Sequence, residues 1–369
     1  MKYYLIAGEA SGDLHGANLM KALKKHDENA AFRFFGGDLM QAEGGKKAVK
    51  HISELSYMGF VEVAVNLRAI LNNISLAKRD ILNYRPDALI LIDFPGFNLK
   101  IAEYAKKNGI KVFYYISPKV WAWNQKRVLR IKRSVDHLFC ILPFEVNFYR
   151  KWGMEVDYVG NPLLDAIAAH KPDLNFREHY QLSGKPIIAL LPGSRKQEIS
   201  KILPEMIGIK TAFPGYQLVI AGAPNFDQAY YDAYTHGEIP VVFNATYDLL
   251  SNAYMAVVTS GTATLETALF NVPQVVVYKA NPLTIFIARL VIKIRYISLV
   301  NLIADQEIVK ELIQNECNSE KIILELNKIS ENAFFRGDIL KKYAILKNKM
   351  GDIGASDKTS LLILEYLSK

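Results

Sequence analysis

Short, continuous apolar runs alternate with stretches of helical length along almost the whole chain, and that alternation leaves few folds open. The first series is Tyr3–Ala7, Phe32–Phe35, Ala88–Ile92, Lys111–Ile116, His137–Leu142 and Val156–Val159. A second follows at Ile187–Leu191, Gln217–Ala221, Val241–Phe243, Ala256–Thr259 and Gln274–Tyr278. Several runs are unbroken Val, Ile, Leu and Tyr, so both faces of their sheet must be covered. The helical stretches between them leave room for crossover helices joining parallel strands. The pattern predicts an α/β protein. At 369 residues the chain exceeds what one core organises, which points to two domains.

The first series ends near GNPLLDAIAAHKPDLNFREHYQLSGKP, a polar stretch broken by prolines. We expect a Rossmann-like domain over residues 1–165, a linker over 166–185 and a second such domain over 186–345. A helical tail over 346–369 is expected to pack back on the first domain. In doubly wound folds the cleft at the strands' carboxyl ends is the default binding site.

Charge adds a second constraint. The net charge is +8, yet residues 100–151 alone hold 12 Lys and Arg against three acids. No helix-turn-helix, zinc-finger or RNA-binding signature accompanies this basic segment. On charge alone, nucleic acid and an anionic membrane or phosphorylated substrate are level. Cys140 and Cys317 give neither a disulfide framework nor a metal spacing, so a reducing cytoplasm is the expected compartment. The opening MKYYLIAGEASGD has too short an apolar run for a signal peptide.

Two apolar stretches are unusual. FVEVAVNLRAILNNISLAKRD places Phe60, Val63, Ala64, Leu67, Ile70, Leu71 and Ile74 on one helical face, and Val61 and Val65 widen it. The run from Asn281 to Ile303 nears membrane-spanning length, but Arg289, Lys293 and Arg295 interrupt it. Each cation costs roughly 2.5–3.5 kcal/mol at a bilayer centre, so spanning is not expected. A core helix or one lying in an interface fits either stretch. Together, in a basic chain, they favour lipid contact through Phe60, Val61, Val65, Leu67, Arg289, Lys293 and Arg295.

Chemistry is concentrated in the turns after the strands. LLPGSRKQEI runs from a strand into Gly193-Ser194-Arg195 at a helix start, where free N–H groups and a guanidinium suit an anion. TSGTATLE repeats the layout with Ser260, Gly261 and Thr262, and Glu266 is placed to accept from ribose hydroxyls. Two such turns in one domain point to a nucleotide diphosphate, although neither is a P-loop or a dinucleotide fingerprint. GEASGDLHG offers Glu9, Ser11, Gly12 and Asp13 after the first strand, and LILIDFPGFN ends a buried strand in Asp93. A half-buried carboxylate there suits a general base. Trp121 and Trp123 stand beside a cationic helix, which fits a ligand both apolar and anionic. There is no D-x-D triplet and no His/Cys/Asp cluster, so neither a metal nor another cofactor is expected.

AGEASGD, MGFVEV, IDFPGFN, SPKVWAWNQKRV, LPFE, LPGSR, SGTATLE and NLIADQEIVKELIQ occur in an order that resembles the lipid-A-disaccharide synthase family, from about Leu5 to Cys317. The resemblance implies GT-B architecture: two Rossmann-like domains with parallel sheets facing a cleft. It implies an inverting transfer of 2,3-diacylglucosamine from UDP to 2,3-diacylglucosamine 1-phosphate, in a cytoplasmic enzyme held peripherally at the inner membrane. Its partners would be the UDP-sugar, the acylated sugar phosphate and an anionic membrane surface, not nucleic acid. It places the family's essential aspartate at Asp93, its arginine at Arg195, its diphosphate turn at Ser260–Glu266 and its asparagine at Asn301. Val300 replaces the family's proline, and Asp305-Gln306 stand where many relatives have Gly-Arg, so another cation would serve that subsite. A UDP-N-acetylglucosamine 2-epimerase would leave the apolar stripe unexplained, and a scaffold or nucleic-acid binder would not bind UDP.

Overall fold

The computed structural model describes residues 1–55, 67–281 and 294–369, and these form two compact units, 1–165 with 352–369, and 166–351. Phe60, Val61, Val65, Arg289 and Lys293 lie outside the described residues.

The first unit is built on a seven-stranded parallel sheet. Its strands are β1 (Lys2–Ile6), β2 (Ala31–Gly36), β3 (Lys50–His51), β4 (Ala88–Ile92), β5 (Lys111–Tyr115), β6 (His137–Cys140) and β7 (Asp157–Tyr158), in the order β3-β2-β1-β4-β5-β6-β7. Successive residues of each central strand enter opposite cores. Tyr4, Ile6, Leu89, Leu91, Val112 and Tyr114 pack with helices Leu67–Tyr84, Pro95–Lys107 and Val128–Ser134. Tyr3, Leu5, Ile90, Ile92 and Phe113 pack on the other face with helices Ala10–His26 and Ala355–Ser368. Unbroken apolar runs are the necessary composition for a strand buried on both sides.

The second unit carries β8 (Ile187–Leu191), β9 (Gln217–Gly222), β10 (Val241–Phe243), β11 (Ala253–Thr259), β12 (Gln274–Tyr278) and β13 (Lys310–Ile313), again all parallel, in the order β10-β9-β8-β11-β12-β13. The sequence KELI gave no apolar run to mark β13, because this edge strand buries only Leu312 well. The stretch 166–185, expected as a linker, belongs to this unit. Phe176 is fully buried against Ile187, Val219 and Val242, with Tyr180 and Leu182 beside it. One aromatic ring suffices to draw a polar segment onto a core. Helix Ala333–Met350 continues past the expected boundary at 345 and ends at Gly351, whose φ of 74° allows the chain to turn away.

Beyond Gly351 the chain returns to the first unit. Asp165 accepts hydrogen bonds from the backbone N–H groups of Gly354 and Ala355 and so caps the last helix. Tyr366 stacks on His137 at 3.6 Å and donates to Asp157, while Asp357 pairs with Lys25 and His26. Replacing Asp165 with Ala leaves two helix-end donors without their partner. The expected loss is about 1–2 kcal/mol, measured as a lower denaturant midpoint with unchanged slope.

Candidate active site

In both sheets the strand order reverses direction once, beside the first strand. For the first unit this switch point lies between β1 and β4, and for the second between β8 and β11. Ligands of open parallel sheets bind in the crevice at the carboxyl ends of those strands. The four turns singled out in the sequence are the four that follow these strands. GEASGD follows β1, Asp93 follows β4, Gly193–Arg195 follow β8, and Ser260–Thr262 follow β11.

In the first unit, Asp93 and Phe94 both adopt left-handed backbone, with φ of 42° and 48°. Such conformations cost on the order of 1–3 kcal/mol each and persist only where neighbours enforce them. The Asn98 amide supplies that enforcement. It donates to the carbonyls of Ile6 (3.4 Å), Ile92 (3.2 Å) and Asp93 (2.8 Å), and the Tyr114 hydroxyl donates to the Asp93 carbonyl as well. The Phe94 ring lies over Gly8, where a β-carbon would come within 2.4 Å of it. The turns after β1 and β4 are therefore packed directly on one another. Burial raises the Asp93 carboxyl above its ordinary range, opposed by the charge of Lys119 and by the Phe94 N–H.

The other residues expected here divide by role. Ser11 is exposed and Glu9 half-buried at the mouth of the β1 turn. Gly12 fits against Ala7 and Ile92. Asp13 is buried, and its carboxylate accepts from the N–H groups of Gly37 (2.7 Å), Leu39 (3.0 Å) and Met40 (3.1 Å). It fastens the turns after β1 and β2 and is not presented to a ligand. Trp121 is likewise buried, donating through Nε1 to Glu145 at 3.0 Å, whereas Trp123 is exposed beneath Arg127.

Glu145, which no sequence expectation named, positions the loop that carries Trp121. It is fully buried and also accepts from the backbone of Leu142 (3.0 Å) and Ile141 (3.3 Å). The sequence signal was available in LPFE, where Pro143 opens a helix and Glu145 stands three residues after Leu142, the spacing of a capping box. Through Trp121 this carboxylate holds the loop SPKVWAW after β5.

In the second unit, the β8 turn lies against the end of β11. A β-carbon on Gly193, whose φ is 99°, would lie 3.5 Å from the Thr259 side chain. The helices that follow, Lys196–Ile207 and Thr262–Leu269, have Arg195 and Gly261 at their N-caps, and no side chain caps either. Asp227, Ser298, Asn318 and Asn332 cap four other helices of this unit. The same lack of a side-chain cap holds for Ala10–His26, Pro95–Lys107 and Thr246–Asn252; at the second switch point the positive helix ends are adjacent because β8 and β11 are neighbours. Arg195 and Ser194 are exposed, Arg195 reaching Glu198 at 3.3 Å. Gly261 and Thr262 are exposed, and the Ser260 hydroxyl donates to Ile297. Glu266 is half-buried, its carboxyl raised by burial and opposed by the Tyr247 hydroxyl, which donates at 2.9 Å.

Asn301 departs from expectation. It is fully buried, its amide donating to Val309 (2.8 Å) and Glu311 (2.9 Å) and its carbonyl accepting from Ile308 (2.8 Å) and Val309 (3.1 Å). With both ends engaged it staples the segment leading into β13 and leaves nothing for a nucleotide. Among the described residues there is no cluster of His, Cys, Asp and Glu suited to a metal, and no helix long and apolar enough to cross a membrane. Of the run 281–303, the described end Leu299–Ile303 is core, and Arg295 is exposed over the Tyr296 ring.

Solved structures share this arrangement over the full length. A Neisseria meningitidis UDP-GlcNAc 2-epimerase bound to UDP-GlcNAc matches with a TM-score of 0.65 at 14% identity, covering 100% of both chains. The glycotransferase of kitacinnamycin matches with 0.69 at 13%, covering 99% of each. The fold is GT-B, the two-sheet class of glycosyltransferases and sugar-nucleotide epimerases. A family model for lipid-A-disaccharide synthetase matches residues 3–344. A lipid-A-disaccharide synthase of Syntrophus aciditrophicus is 38% identical over 99% of this chain and 97% of its own length, and one of Coxiella burnetii is 36% identical over 97% and 96%. The chain belongs to the lipid-A-disaccharide synthetase family, and is accordingly a glycosyltransferase.

The Glu145 carboxyl is raised from 4.5 to about 7, burial outweighing its four hydrogen bonds. A carboxyl that holds its proton more tightly when folded stabilises the protein below pH 4.5 and loses that contribution as pH rises through about 7. Glu145→Gln removes this dependence. Across that window the unaltered protein should lose on the order of 3 kcal/mol relative to the variant in denaturant titrations.

Proposed function

We propose that the chain transfers 2,3-diacylglucosamine from UDP to the 6-hydroxyl of 2,3-diacylglucosamine 1-phosphate, forming a β-1,6 disaccharide and UDP in lipid A biosynthesis. The observation that carries the donor assignment is the exposed Arg195 at one of two helix starts that meet at the β8–β11 switch point. Their N–H groups and Arg195 receive the diphosphate, and stabilise it as it leaves. Glu266, held by Tyr247, accepts from the ribose hydroxyls. The nucleotide of the Neisseria meningitidis relative by fold fits the same reading.

Conversion of an α-linked donor to a β-glycoside is a single displacement with inversion, and needs one base. Asp93 takes the proton from the acceptor 6-hydroxyl as that oxygen attacks the donor's anomeric carbon. Its raised carboxyl and strained, clamped turn support this role. The acyl chains of both sugars lie in a bilayer, so the enzyme works as a peripheral protein on the cytoplasmic face of the inner membrane. Leu67 and Leu71, both exposed on the helix Leu67–Tyr84, support apolar docking at this end, continuous in sequence with Phe60, Val61 and Val65. Arg289, Lys293 and Arg295 supply charge for anionic head groups.

Incubation with both acylated sugars tests the whole reading, with disaccharide and UDP appearing in equal amounts. Asp93→Asn should lower turnover by about 10²–10⁴ while UDP affinity is retained, since the base serves the acceptor. In calorimetry Arg195→Ala should weaken UDP by about 1.5–3 kcal/mol, and Glu266→Gln should weaken UDP but not uracil. Leu67→Ser with Leu71→Ser should reduce co-sedimentation with anionic vesicles roughly tenfold, without lowering the melting temperature, because both side chains are already exposed.

A further inference from the structure

Arg127 is partly buried, yet among the described residues it makes no ion pair and its side chain no hydrogen bond. Other arginines of the chain show the contrast. Arg130 is paired through both nitrogens with Glu103, Arg33 with Asp80, and Arg336 donates to the Tyr254 carbonyl. The Arg127 guanidinium stacks on the Trp123 ring, 4.5 Å away, and that ring is itself exposed. Burial and the nearby Arg130 both push the guanidinium below its ordinary pKa, opposed by Tyr114. A desolvated cation without a counter-charge is a site that an anion completes.

Its place in the fold says which anion. Arg127 closes a short turn at Gln125–Arg127, after β5, and β5 lies beside β4, whose end carries Asp93. Arg127 acts electrostatically on the Tyr114 hydroxyl, and that hydroxyl donates to the Asp93 carbonyl. Lys119, on the same loop, is exposed, makes no ion pair among the described residues and exerts its charge on the Asp93 carboxyl. Two unpaired cations and an aromatic face therefore flank the proposed base. A planar guanidinium fixed on a ring suits the oxygens of a phosphomonoester better than a mobile ammonium does.

We propose that Arg127, stacked on Trp123 and joined by Lys119, binds the phosphate of the acceptor, holding the sugar at C1 while Asp93 faces its C6 hydroxyl. This rests on the reading of Asp93 as the residue that serves the acceptor. Lys119 anchors by charge and Trp123 lies against the apolar face of the sugar ring.

The test compares kcat/KM for diacylglucosamine 1-phosphate with that for the same acceptor lacking the phosphate. R127A should cut the preference for the phosphorylated acceptor about tenfold to a hundredfold, with the donor KM unchanged. R127K, which keeps the charge but not the planar fork, should lose part of it, and K126A, an exposed neighbour, none. An unchanged preference in both Arg127 variants would overturn the proposal, as would an equal loss in K126A, which would reduce the effect to bulk charge. Loss of binding to phosphatidylglycerol vesicles with the preference intact would assign the guanidinium to lipid head groups and overturn it too. If the unaltered protein forms no disaccharide from either acceptor, the acceptor reading itself fails and the site with it.

Discussion

A single buried amide holds the centre of the first unit. Asn98 faces the last carbonyl of β1, the last of β4, and the carbonyl of Asp93 beyond it. Those carbonyls sit at the carboxyl ends of two neighbouring strands, where the chain leaves the sheet. Their satisfaction fixes the distance between the strands. It also holds two successive side chains in a backbone region that branched and bulky residues avoid. Without that amide the turn would relax toward ordinary geometry, and the carboxylate of Asp93 would no longer be aimed by its own main chain.

The two units share one topology but place their polar side chains differently. In the first, buried polar side chains turn inward: Asp13 gathers three N–H groups, Glu145 holds Trp121 and two more, and the loops become rigid. In the second, the switch-point helix starts lack a side-chain cap, as those after β1 and β4 do, but here an exposed arginine, Arg195, stands at one of them. Rigid positioning suits a group that must meet a hydroxyl proton in one orientation. Open N–H groups suit a diphosphate, whose charge grows as it leaves.

Much of this was legible in the chain. Asp93, Arg195 and Glu266 announce themselves because each comes soon after a continuous apolar run and beside a glycine-containing turn, which places Asp93 and Arg195 at a strand's carboxyl end and Glu266 early in the helix that follows. Asp13 shares those outward signs, and Asn301 is offered only by the family resemblance, yet both serve the fold, since whether an amide or carboxylate meets backbone or ligand depends on contacts far along the chain. Strand order was hidden for the same reason. That β1 lies beside β4, and β8 beside β11, follows from crossovers whose length sets no neighbour. Arg127 was one of twelve cations in a basic segment, and only its lack of a carboxylate separates it from Arg130 three residues on.

The last helix covers a core whose other parts are made first. Tyr366 and Ile363 complete the layer formed by Tyr3, Leu5, Phe113 and Phe139, while the whole of residues 166–351 comes between. At synthesis rates of roughly 5–20 residues per second, that separation is on the order of 10–40 s. During this interval the first unit has one face of its sheet partly unroofed, and the second unit, continuous in sequence, has everything it needs. The order of completion is therefore the reverse of the order of translation. A ribosome stalled anywhere past residue 165 carries an apolar surface that only its own final turns of helix can close.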